Sequence, residues 1–109
     1  MKLVFAIVHD EDGRKVTEEL NMNSFSVTKL ATTGGFLKSG NTTLLVGVEE
    51  DKVEQVVEII KNRSKSRKQM ITSPMPTNAP SGAYMPYPIE VSVGGATIFV
   101  VDVERFEKV

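Results

Sequence analysis

The densest run of residues suited to chemistry is Thr28–Gly47, TKLATTGGFLKSGNTTLLVG. Gly34 and Gly35 permit positive φ and let backbone N–H groups approach an anion closely. Thr28, Thr32, Thr33, Thr42 and Thr43 add hydroxyls, while Lys29 and Lys38 add point charges. Asn41 both donates and accepts, as reading a purine edge requires. Phe36 offers a flat face on which a base can stack. Gly47 falls inside a strand pattern, where a glycine implies that something lies directly against the backbone. Together these residue types suit a phosphate, a base edge and a base face. The same residues also suit a glycine-rich hairpin with threonines chosen for β-propensity, and composition leaves both readings open. Neither GxxxxGK[ST] nor GxGxxG occurs.

Other clusters are weaker. His9, Asp10 and Asp12 match no closed zinc set, and a strand end followed by a helix start accounts for them. The basic run Lys61, Arg63, Lys65, Arg67, Lys68 suits RNA, an acidic partner or a phosphate-rich ligand. A solvated helix terminus explains it better, given the chain's charge balance. Tyr84 and Tyr87 read equally well as a docking surface or as an anchor returning the chain to a sheet, and Met70, Met75 and Met85 would suit an adaptable partner surface. For catalysis there is no Cys, a single His and no G-x-S-x-G elbow. The carboxylates cluster at helix starts, where capping explains them. The chain reads as a binding protein, not an enzyme, with no metal site.

Composition sets outer limits. The 109 residues carry 13 Lys+Arg against 14 Asp+Glu, a net charge of −1. Nucleic-acid binding by blanket phosphate neutralisation would need a clearly basic domain. Zero cysteines exclude disulfides and thiolate chemistry together. The apolar run Leu3–Val8 is far too short to span a bilayer and lacks the flanks of a signal peptide, so the expected address is the cytoplasm. One domain, 1–109, is expected.

The elements that must position these residues show as changes of hydrophobic period. Lys2–Val8 reads as a buried strand, and a helix follows over Asp10–Met22 with Val16 and Leu20 facing inward. Phe25–Thr32 alternates, with Phe25, Val27 and Ala31 on one side and Ser26 and Thr28 on the other. Thr42–Val48 is a third strand. A second helix carries a stripe of Val53, Val56, Val57 and Ile60, with Asp51 as expected cap and Glu54 in capping-box spacing. Ser64–Tyr87, with Pro74, Pro76, Pro80 and Pro86, reads as a long loop. Ile89–Val93, a Gly94-Gly95 hairpin turn and a strand over Thr97–Val103 complete the chain. The expected class is α+β, a ferredoxin-like βαββαβ sandwich with both helices on one sheet face. Apolar residues facing both ways imply that other subunits cover the second face.

The strings ATTGGFLKSGNTTLLVGV, PYPIEVSVGGATIFVVDVERF and KLVFAIVHDED resemble the PII-like cyclic-di-AMP receptor family over essentially the whole chain. The resemblance implies a homotrimer of ferredoxin-like subunits with one cyclic di-AMP in each cleft between neighbours. It further implies that Thr28 contacts phosphate, and that Gly35, Phe36 and Leu37 line one adenine. Asn41 and the Gly47 backbone would read an adenine edge, with Phe99 closing the apolar side from the same or a neighbouring subunit.

Ser24, Ser26, Val27, Lys38 and Lys108 complete the implied ligand set. Family members can carry Asn, Arg and Gln where this chain has Ser24, Ser26 and Lys108. Loss of an Arg removes a bidentate phosphate contact, for which Lys29, Lys38 or Lys108 would have to compensate. The expected function is a non-enzymatic second-messenger receptor that relays binding to a protein partner through ordering of the Ser64–Tyr87 segment. Two alternatives remain at this point: an ATP- or ADP-sensing PII-type regulator, and a trimeric interaction module indifferent to small molecules.

Overall fold

A computed structural model describes residues 1–30, 40–76 and 84–109, with side chains described outside 71–87. The chain runs β1 (Lys2–His9), α1 (Asp10–Met22), β2 (Thr28–Leu30), β3 (Asn41–Val48), α2 (Val53–Ser64), β4 (Arg67–Pro76), β5 (Tyr84–Val93) and β6 (Ala96–Asp102). A four-stranded antiparallel sheet has the order β2-β3-β1-β6, and β4 and β5 form a separate two-stranded sheet. Two helices with an antiparallel sheet in this order are consistent with the expected ferredoxin-like arrangement.

Period-two alternation on β1 and β3 decides which face is dry. Val4, Ala6, Val8, Thr42, Leu44, Val46 and Val48 are buried beneath the helices. Val16 and Leu20 of α1 and Val56 and Ile60 of α2 complete that core, each fully buried. Arg63 of α2 reaches Glu19 of α1 at 3.0 Å, tying the two helices along their exposed edges. The opposite face carries Leu3, Phe5, Ile7, Leu45, Phe99 and Val101, with no helix over it among the described residues; Phe99 is 55% exposed.

α1 ends in a reciprocal hydrogen-bond pattern. The Phe25 N–H donates to Leu20 O at 2.9 Å and the Ser24 N–H to Asn21 O at 3.0 Å. Ser24 sits between them at φ 67°, the left-handed position that glycine or asparagine usually takes. Phe25 and Val27 then pack against the core while Ser26 and Thr28 stay exposed, the alternation expected from the sequence. The strand itself covers Thr28–Leu30, and Ala31 and Thr32 lie outside the described residues.

Three expectations need correction. Asp51 does not cap the second helix; Glu50–Lys52 form a single 3₁₀ turn that leads into α2 without a side-chain cap. The expected loop Ser64–Tyr87 instead contains β4 and the start of β5, paired in register from Arg67↔Val93 to Pro76↔Tyr84. Pro74, Pro76, Pro86 and Pro88 all occupy one alternate set of ladder positions. Proline, lacking an N–H, is tolerated where that group would point away from the partner strand. Ten-residue strands reach about 34 Å, and this arm stretches the molecule to 67 Å against 29 and 21 Å.

The third correction concerns Gly94-Gly95. They do not turn a hairpin between β5 and β6, which belong to different sheets. They form a corner at φ 83° and 91°, where the Gly95 N–H donates to Ser64 O. A Cβ on Gly94 would stand 2.5 Å from Lys65 O, so only glycine fits between the arm and the end of α2.

Candidate functional site

The open sheet face ends in a groove of about 550 Å³ lined by Met1, Leu3, Ser26, Thr28, Leu45, Gly47, Val103, Phe106, Glu107 and Lys108. Its floor follows from register. Thr28 is paired with Leu45, Leu3 with Gly47, and Leu3 with Val101 on its other side. The C-terminal tail forms the wall, held down by a Val103 N–H to Met1 O bond of 3.1 Å. Hydroxyls from Ser26 and Thr28, the Lys108 ammonium and an apolar floor thus converge. Four residues expected from the sequence, Ser26, Thr28, Gly47 and Lys108, come together here.

Gly47 is the informative one. It is exposed near the end of β3, and among the described residues a Cβ built on it would meet nothing within 4 Å. Packing among the described residues therefore gives no reason for glycine there, although glycine weakens a strand.

Other expected residues stand elsewhere. Asn41 opens β3 opposite His9, at the far end from Gly47 and about 20 Å from it by strand rise. It lines a separate groove of about 330 Å³ with Ile7, His9, Gly94, Gly95 and Thr97. Phe99 lies on the edge strand β6 in the row Thr28, Leu45, Phe5, Phe99, about 14 Å from Thr28 across three strand spacings. Val27 turns inward to the core, and Ser24 closes α1. Gly35, Phe36, Leu37 and Lys38 lie outside the described residues.

Gly40, immediately before β3, is tied to the start of α1. The Asp10 N–H donates to Gly40 O at 2.6 Å, and the Thr42 hydroxyl donates to the Asp10 carboxylate. Asp10 and Asp12, weighed above as metal ligands, thus have protein partners: Thr42 for the first, and Arg67 for the second at 3.0 Å. Among the described residues, four of the five basic residues in the run, all but Lys65, also face carboxylates. Lys61 lies 3.9 Å from Glu58, Arg63 3.0 Å from Glu19, and Lys68 3.1 Å from Glu90. Sequence reasoning missed Phe106, whose place in an irregular tail leaves no periodic signal.

The model of the cyclic-di-AMP receptor family matches residues 1–109. The chain belongs to that family. A cyclic-di-AMP receptor is what the glycine-threonine and PYPIEVSVGGATIFV strings resemble, so the resemblance and the match agree. The crystal structure of a functionally unknown protein from Pediococcus pentosaceus ATCC 25745 is also similar. It is 44% identical, with a TM-score of 0.75, over 99% of this chain and 96% of that one. Among the described residues no helix is long and apolar enough to cross a membrane.

Proposed function

We propose that this chain is a non-enzymatic cytoplasmic receptor that binds cyclic di-AMP in clefts between the subunits of a homotrimer and passes the signal to a protein partner. Gly47 carries the reading: its bare backbone has open space above it among the described residues, which supports an outside occupant as the reason for glycine there. In this reading the Ser26 and Thr28 hydroxyls and the Lys108 ammonium hold phosphate, and a base lies on the Gly47 backbone. Gly35, Phe36 and Leu37 line the other adenine, with Val27 contributing backbone and Lys38 charge. Phe99 and Asn41, too far from the groove within one subunit, act from a neighbouring copy. Trimer packing covers the apolar sheet face that carries Leu3, Phe5, Leu45 and Phe99.

The output is the β4–β5 arm. Its strands are paired along 67–76 and 84–93, so the relay needs a change in how the arm is held or in its tip rather than the folding of a long loop. The ATP-sensing alternative is disfavoured because Lys61, Arg63, Arg67 and Lys68 already face carboxylates. Native mass spectrometry with cyclic di-AMP tests the reading. A trimer carrying up to three ligands is expected; a monomer, or a trimer that takes up none, would overturn it.

A further inference from the structure

The tail places an aromatic ring at the groove that no expectation assigned. Phe106 lines it together with Ser26, Thr28, Gly47 and Lys108, yet is 62% exposed and absent from the hydrophobic core. An exposed phenylalanine two residues from a groove-lining lysine pairs a stacking face with a cation, the two groups that a purine nucleotide unit uses. Phe99, the aromatic expected to close the apolar side, stands across the sheet at the β6 edge. Among the described residues, Phe106 is thus the ring that this subunit itself offers at the Gly47 end. Arg105 holds Glu107 at 3.1 Å, which partly offsets the charge of the one carboxylate lining the groove.

We infer that Phe106 is a base-stacking residue, against which a purine lies with its edge toward the Gly47 backbone and its phosphate toward Lys108. This rests on the receptor reading and names a contact within that site.

The chain has two tyrosines and no tryptophan, so Phe106→Trp introduces a single tryptophan at the inferred contact, excited selectively at the red edge of its absorption. Titration of that variant with cyclic di-AMP, and separately with AMP, should change its emission saturably. Phe106→Ala should weaken cyclic di-AMP binding by roughly 5- to 100-fold, as loss of one base stack implies, with the oligomeric state unchanged by size-exclusion chromatography. Wild-type binding with an unaltered Phe106→Ala affinity, or a silent tryptophan at saturation, overturns the stacking role alone. Dissociation of the trimer in Phe106→Ala would make the ring a subunit contact and also overturn it. A wild type that ignores cyclic di-AMP overturns the receptor reading; an emission change with AMP would then still uphold purine stacking, and silence with both ligands would end it.

Discussion

The guanidinium of Arg67 grips the carboxylate of Asp12 through both its terminal nitrogens, Nη2 to Oδ1 at 3.0 Å and Nη1 to Oδ2 at 3.3 Å. Asp12 is fully buried in the first turn of α1, whereas Arg67 opens β4. One ion pair therefore fixes the base of the arm to the helical layer. Nη1 also donates to Lys65 O at 3.1 Å, closing the corner that Gly94 leaves open. The Asp12 contact, chiefly its hydrogen bond, raises the Arg67 pKa above its usual value.

A lysine cannot reproduce the two-pronged geometry, and a glutamine leaves Asp12 as a buried charge without a cation. Melting temperatures should fall in the order wild type, Arg67→Lys, Arg67→Gln. Hydrogen exchange should quicken first at the base of β4. Equal stability of all three would show that the pair does not hold the arm.

Gly47→Val separates a structural from a ligand requirement. The open space around its Cβ position and the β-propensity of valine mean that the chain should fold and melt within about 1 kcal/mol of wild type. Cyclic di-AMP binding should be lost. A variant that binds normally would place the ligand elsewhere, and one that fails to fold would give Gly47 a structural cause.

Ser24 holds a left-handed backbone that costs an L-residue about 1 kcal/mol relative to glycine. Ser24→Gly should raise stability by up to that amount in thermal or urea unfolding. If the hydroxyl also touches the ligand, affinity should drop as stability rises. A destabilised Ser24→Gly would contradict the strain argument.

Lys2 and Asp102 are directly paired across β1 and β6, and each is hydrogen-bonded to the other. That bond holds the Asp102 carboxyl below the usual carboxylate range and raises the Lys2 ammonium. A depressed carboxyl means that the unfolded chain binds the extra proton. The Asp102 contribution is thus complete above about pH 4 and lost as pH falls through the lower folded value. The raised Lys2 gives the mirror effect, lost only as pH climbs past about 10.5. Asp102→Asn should therefore flatten the fall of melting temperature with acid below about pH 4. An unchanged slope would remove this pair from the acid response.

Period and spacing made the helical layer legible. A helix over about Asp10–Met22 was legible because Val16 and Leu20 sit one turn apart behind three acidic residues. The inward and outward assignments of Phe25, Ser26, Val27 and Thr28 also follow from alternation alone. The arm was hidden because prolines read as breakers. Their spacing of two, at 74 and 76 and again at 86 and 88, carries the strand period. Gly94-Gly95 signalled a turn correctly, but not that the chain changes sheets there, since that depends on where β5 finds its partner. Thr28 and Gly47 were identifiable by residue type, and Ser26 only through the family resemblance. Their convergence with Lys108 depends on the tail folding back to Met1, a long-range contact without a local signature.

Isothermal titration of the purified wild-type chain with cyclic di-AMP, against cyclic di-GMP and ATP as comparators, tests the central claim most directly. Saturable heat with cyclic di-AMP at one ligand per subunit is expected, with much weaker or no binding of the other two. Absence of heat with cyclic di-AMP at high protein concentration, or tighter binding of ATP, would contradict it.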